Sequence, residues 1–136
     1  MQQFQGSLVA NLHYPDFLTE RCMATCTVLK IDIDAKGKVQ GLTLSDSADP
    51  TFNMEFIFIA GKLDKEPLER LAELRQLKSA TLFMPIYYSV TTSKCTSAVI
   101  DPLRLTDLYR FNKEHHRSTA MILPTLLKRI WVDSIR

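Results

Sequence analysis

The sequence predicts an α+β domain in which a three-stranded antiparallel sheet carries helices on one face and a helical extension follows at the C-terminus. Two stretches of alternating apolar residues, Thr27 to Ile33 and Ala80 to Val90, have the period of half-buried strands. Between them lie a tight-turn signature, Asp34-Ala35-Lys36-Gly37, and two capped helical patterns. At 136 residues the chain reads as a single domain over 1–136, long enough to remove roughly two thirds of its unfolded surface from water.

The elements follow in order. "GSLVANL" opens as a short helix, with Leu8 and Leu12 four apart on one face. In "YPDFLTERC", Pro15 suits a first helical turn, Asp16 and Glu20 suit the positive end of the dipole, and Phe17 and Leu18 are expected to point inward. The first strand runs from Ala24. Asp34 at the first position of a type I turn and Gly37 at the fourth close a hairpin with a bulge, and the return strand is Lys38 to Ser45. Lys30, Asp32, Asp34, Lys36 and Lys38 are expected on its wet side.

Asp49 and Pro50 form a helix start, after which Phe52, Phe56, Ile59 and Leu63 share a helical face. "MEFIFIA" also has the composition of a strand, so both readings stand at this stage. "DKEPLERLAELRQL" predicts a second helix with Leu68, Leu71 and Leu74 inward. In the third strand Pro85 has no N–H to donate, so that position is expected to face an edge or a bulge. "TTSKCTS" reads as a loop, and Asp101-Pro102 starts another helix, with Leu105, Leu108 and Tyr109 on one side. The apolar tail "STAMILPTLLKRIWVDSIR" is read as helical and broken at Pro124. Met121, Ile122, Leu126, Ile130 and Trp131 there need a partner surface, either their own sheet or another subunit.

Composition excludes several classes. Hydrophobic residues at 46%, charged residues at 24%, four glycines and six prolines describe a folded chain, not a disordered or collagen-like one. A net charge of +2 is too small for a nucleic-acid footprint. Residues 101–136 hold seven Lys/Arg against four Asp/Glu, but these alternate with apolar residues as on a solvated helix face. No leader-like basic start and no apolar run of about 20 residues is present, so the expectation is a soluble chain without a membrane span. A removed export signal ahead of this numbering is compatible with that.

No reacting constellation is legible. Of three cysteines, Cys22, Cys26 and Cys95, none lies in a nucleophile elbow, and all are expected to be buried as small apolar residues; the spacing permits a Cys22–Cys26 bridge without requiring one. His115 and His116 sit in "FNKEHHRST", a polar connection, where adjacent residues would diverge even on a helix, and with Cys22 and Cys26 they fit no zinc spacing. Asp32 and Asp34 share a strand face but are flanked by lysines, as on a wet hairpin. Glycines only at 6, 37, 41 and 61 make no phosphate loop. Catalytic residues, metal ligands and cofactors are therefore not expected.

Taken together, Tyr14-Pro15, then "TVLKIDIDAKGKVQGLTLSDS", a helical stretch and "ATLFMPIYY" resemble the C-terminal domain of TonB and the wider TonB-like energy-transducer family, over about Phe4 to Val90. The matching positions are Tyr14, Pro15, Asp34, Gly37, Val39, Ser45, Ser47, Phe83 and Pro85. The chain departs from the pattern at Cys26-Thr27, where the family has glycine, and in its helix, and 91–136 is an extension outside it. The resemblance implies a non-enzymatic protein-interaction module of the cell envelope, periplasmic if an export signal precedes it. It also implies a partner, an outer-membrane receptor, whose short segment adds alongside the third strand. The partner-binding edge would then be Leu82, Met84, Ile86, Tyr88 and Val90. The alternative is that this edge is covered by 91–136 or by a second copy, as in a structural homodimer built through the edge strand and the C-terminal tail.

Overall fold

The computed structural model describes residues 2–92, 94, 100 and 102–132. Its centre is the hairpin of β1 (Thr25–Ile33) and β2 (Val39–Leu44), with β3 (Ala80–Thr92) antiparallel on the other side of β1. The turn forms as its residues dictate. Gly37 takes φ +81°, its N–H donates to the Asp34 carbonyl at 3.1 Å, and the Asp34 carboxylate accepts from the N–H groups of Lys36 and Lys38. Those two bonds to the charged form hold the Asp34 carboxyl below its usual range.

Four helices supply one side of the core: α1 (Gln2–Asn11), α2 (Asp16–Glu20), α3 (Pro50–Ile59) and α4 (Glu66–Leu74). Asp49 caps α3, its carboxylate accepting from the Thr51 N–H at 2.8 Å, and Phe52, Phe56, Ile59 and Leu63 are all buried against the sheet. The "MEFIFIA" run is thus helical, capped at one end and loosened into a 3-10 turn over Ala60–Lys62 at the other. Tyr14 stacks on Tyr88 with ring centres 5.0 Å apart, and its hydroxyl donates to the Met23 carbonyl at 2.9 Å. Burial pushes that phenol up to about 12.

Two inward expectations fail. Phe17 is exposed, with the Arg21 guanidinium over its ring, because five residues of α2 turn only Leu18 to the core. Leu74, in the last turn of α4, is 81% exposed, and Ala72 is buried in that helix instead.

The larger correction concerns the C-terminal third. The helical extension predicted for 91–136 reduces to one short helix, α5 (Pro102–Leu105). A two-residue-loop hairpin follows, β4 (Arg110–Phe111) and β5 (Glu114–His115), and then two parallel strands, β6 (Met121–Ile122) and β7 (Leu126–Val132). The sheet is therefore mixed and five-stranded, in the order β2-β1-β3 with β6 and β7 end to end along the outer side of β3. Pro124 explains the break between them. It cannot continue a strand ladder, and it falls opposite the stretch of β3 that contains Pro85, which has no N–H to offer. The two missing donors thus share one gap. Cys95 and Asp101 lie outside the described residues.

The far side of the sheet has its own small cluster. Phe111 of the β4–β5 hairpin stacks on Phe83 at 5.6 Å and packs on Val28, and the Lys30 ammonium sits 5.0 Å over the Phe111 ring instead of in open water. The α+β class holds, and among the described residues no helix is long and apolar enough to cross a membrane.

Candidate interaction surface

Leu82, Met84, Ile86, Tyr88 and Val90 do not form an open edge. Their side chains belong to the helix-facing core, the first four almost wholly buried. On the backbone side, Leu82 is paired with Met121 and Ile86 to Val90 with Leu126 to Ile130. The tail needs a partner surface for its apolar residues and finds it on the chain's own sheet, so neither a receptor segment nor a second copy reaches β3 without displacing β6 and β7. Self-association through β3 itself is blocked for the same reason, and the outer strand on that side is now β7, paired among the described residues only with β3.

An open edge exists on the other side of the sheet, at β2. Ser45 donates its N–H to the Val28 carbonyl at 2.9 Å, so by strand alternation Gly41, Thr43 and Ser45 point their backbone groups at β1. Leu42 and Leu44 then point theirs outward. The two ends of that outer edge are closed: the Val39 N–H donates to the Glu69 carboxylate at 3.0 Å, and the Asp46 N–H donates to the Arg110 carbonyl at 2.7 Å. Between them, no described residue bonds the outward groups of Leu42 and Leu44. The closed ends are seven residues apart, about 23 Å along an extended strand, enough for roughly six added residues.

This stretch of edge forms the floor of a groove of about 760 Å³. One wall is α3, with Pro50, Asn53 and Ile57; the other is the tip of the β4–β5 hairpin, with Arg110, Asn112 and Lys113. The hairpin tip is rigidly placed. Asn112 and Lys113 have φ of 52° and 68°, the left-handed pair of a two-residue hairpin loop, and both N–H groups point at the Asp46 carboxylate, at 3.1 and 2.7 Å. Arg110 donates to the Lys113 carbonyl at 2.7 Å and pairs with Asp107 at 3.5 Å. Those contacts spend Asp46 and Asp107, while the Lys113 ammonium has no partner among the described residues.

The groove is accordingly two-sided. A strand laid beside β2 alternates its side chains between the helix face of the sheet, where Ile57 is 64% exposed, and the opposite face, where Lys113 is exposed. No protein-family model, curated protein or solved structure matches the chain.

The remaining candidates fall away from the groove. Cys22 is disulfide-bonded, which overturns its reading as a buried thiol, and Cys26 is free, so the two do not bridge each other. Burial raises the Cys26 thiol, away from reactive thiolate. His115 and His116 lie in and just after β5, not on a helix; His116 stands edge-on to Phe83 at 4.8 Å and bonds the Ser118 hydroxyl. Among the described residues no three potential metal ligands cluster. Sequence reasoning missed the groove because its walls come from residues some 60 positions apart, and only the Asp46 to Arg110 contacts bring them together.

Proposed function

We propose that the chain is a non-enzymatic protein-interaction module of the cell envelope that binds an extended partner segment by strand addition, along β2 instead of β3. In the TonB-like reading the segment belongs to an outer-membrane receptor. The observation that carries the proposal is the interrupted edge: outward donors and acceptors at Leu42 and Leu44, closed off at Val39 and Asp46, within a groove of about 760 Å³. The segment that fits alternates apolar residues, facing Ile57, with acidic ones, facing Lys113. Cys22 in a disulfide supports an oxidising compartment, since such bonds are rare in reducing cytoplasm.

The test is binding of a hexapeptide alternating valine and glutamate, measured by calorimetry against Leu42→Pro and Lys113→Glu. Leu42→Pro removes an outward donor that the β1 ladder does not use, though it also trims a side chain packed on the core; with a thermal melt showing the variant folded, binding falls about tenfold or more. Lys113→Glu weakens the acidic peptide and favours one in which lysine replaces glutamate. Equal binding to all three proteins would refute strand addition at β2.

A further inference from the structure

Helix α3 is apolar on both sides. Its inner face is core, yet Met54, Ile57 and Phe58 are 71%, 64% and 75% exposed on its outer face. A helix that is apolar all round is covered on both sides in its working state. We propose that the cover is α3 of a second copy of this chain, packed antiparallel about a two-fold axis. The arrangement of the outer face carries this. Its apolar centre is flanked by an acid, Glu55 on α3, and a base, Lys62 at the end of the 3-10 turn that continues it, and neither has an ion-pair partner among the described residues. Lys62 shares the face of Phe58, its ammonium 5.2 Å from the ring centre.

Antiparallel pairing about a point near Phe58 sets Glu55 of each copy against Lys62 of the other, two identical contacts, as an isologous interface requires. Gly61 lies on the same face with no heavy atom within 4 Å of where a Cβ would be, so it leaves a notch for the partner's Phe58. A parallel pairing would put like charges together. A lipid surface or an unrelated helix would use the apolar centre but has no need of the opposed charges. The face is one helix wide, so the contact sits near or below about 1,200 Å² of total buried surface, the range of weak, concentration-dependent association.

Ile57 belongs to both surfaces, but Glu55, Phe58 and Lys62 do not line the β2 groove, so this proposal and strand addition are tested by different substitutions. Sedimentation equilibrium of the full chain from micromolar to millimolar concentration should show the mass rising from one chain toward two. Phe58→Ser, an exposed substitution that leaves the thermal melt intact, should weaken the dimer about tenfold. Glu55→Lys and Lys62→Glu should each weaken it about fivefold, and the double swap should restore it. A monomer at every concentration overturns the proposal, as does a dimer indifferent to these changes. Vesicle binding by a monomer, abolished in Phe58→Ser, would overturn it in favour of a lipid surface.

Discussion

Ser45→Ala is the substitution whose cost the structure specifies most fully. The Ser45 hydroxyl lies 2.7 Å from that of Thr27 and 2.8 Å from that of Ser47, and it accepts from the Val28 N–H at 3.1 Å. Thr27 and Val28 have no exposed surface, and Ser45 is 2% exposed. Alanine removes all three contacts while leaving the cavity too well enclosed for the partners to turn to bulk water. Ser47 retains the Cys26 carbonyl at 2.9 Å and the Thr27 hydroxyl retains the long contact to the Ser45 carbonyl at 3.5 Å, so the burden falls mainly on the Val28 N–H. At about 1–3 kcal/mol for that buried N–H left without a partner, and about 0.5–1 kcal/mol for the weakened Thr27 hydroxyl, the loss should be about 1.5–4 kcal/mol. With a urea slope of about 2 kcal/mol per molar, the midpoint falls by roughly 1–2 M at unchanged slope. Ser47→Ala leaves Val28 satisfied and should cost about 1 kcal/mol. A Ser45→Ala loss below about 0.5 kcal/mol, or one equal to that of Ser47→Ala, would refute the network as described.

Other outcomes follow from the same contacts. Burial holds the Tyr14 phenol up to about 12, above its unfolded value of about 10, so the native state binds that proton more tightly. Stability should be full below about pH 10 and fall as pH rises through about 12, and a melting series should show Tyr14→Phe with a shallower alkaline decline. Lys113→Gly relieves a left-handed backbone at φ 68° and should raise stability by about 1 kcal/mol in urea, while removal of the cation weakens acidic-peptide binding. Cys22→Ser should cost about 2–4 kcal/mol, and a reducing agent should lower the melting point of the parent chain but not of the variant.

The residues that carry the TonB-like resemblance were legible because each has a local structural task. Asp34 and Gly37 build the turn, Tyr14 anchors the aromatic stack, Ser45 and Ser47 pin the strand end, and Pro85 occupies a break in the ladder. Of these only Ser45 lines the groove, and its hydroxyl is spent on Thr27 and Ser47, which is why the pattern located the sheet and misplaced its open edge. The tail was misread for a physical reason as well. "TLLKRIWV" sets Lys128 and Arg129 between apolar pairs, so it lacks the strict alternation of a half-buried strand, and periodicity over so short a stretch does not distinguish a strand beside β3 from a helix. The groove was invisible because it depends on Asp46 reaching the Asn112 and Lys113 N–H groups, a contact between two turns with no periodic signature.

Amide hydrogen exchange of the full chain, with and without the alternating valine–glutamate hexapeptide, tests strand addition most directly. The outward N–H groups of Leu42 and Leu44 should exchange quickly in the free protein and become protected when the peptide is bound, with Lys113 shifting alongside them. Protection that appears along β7 instead, or no protection at either leucine under saturating peptide, would contradict binding at the β2 edge.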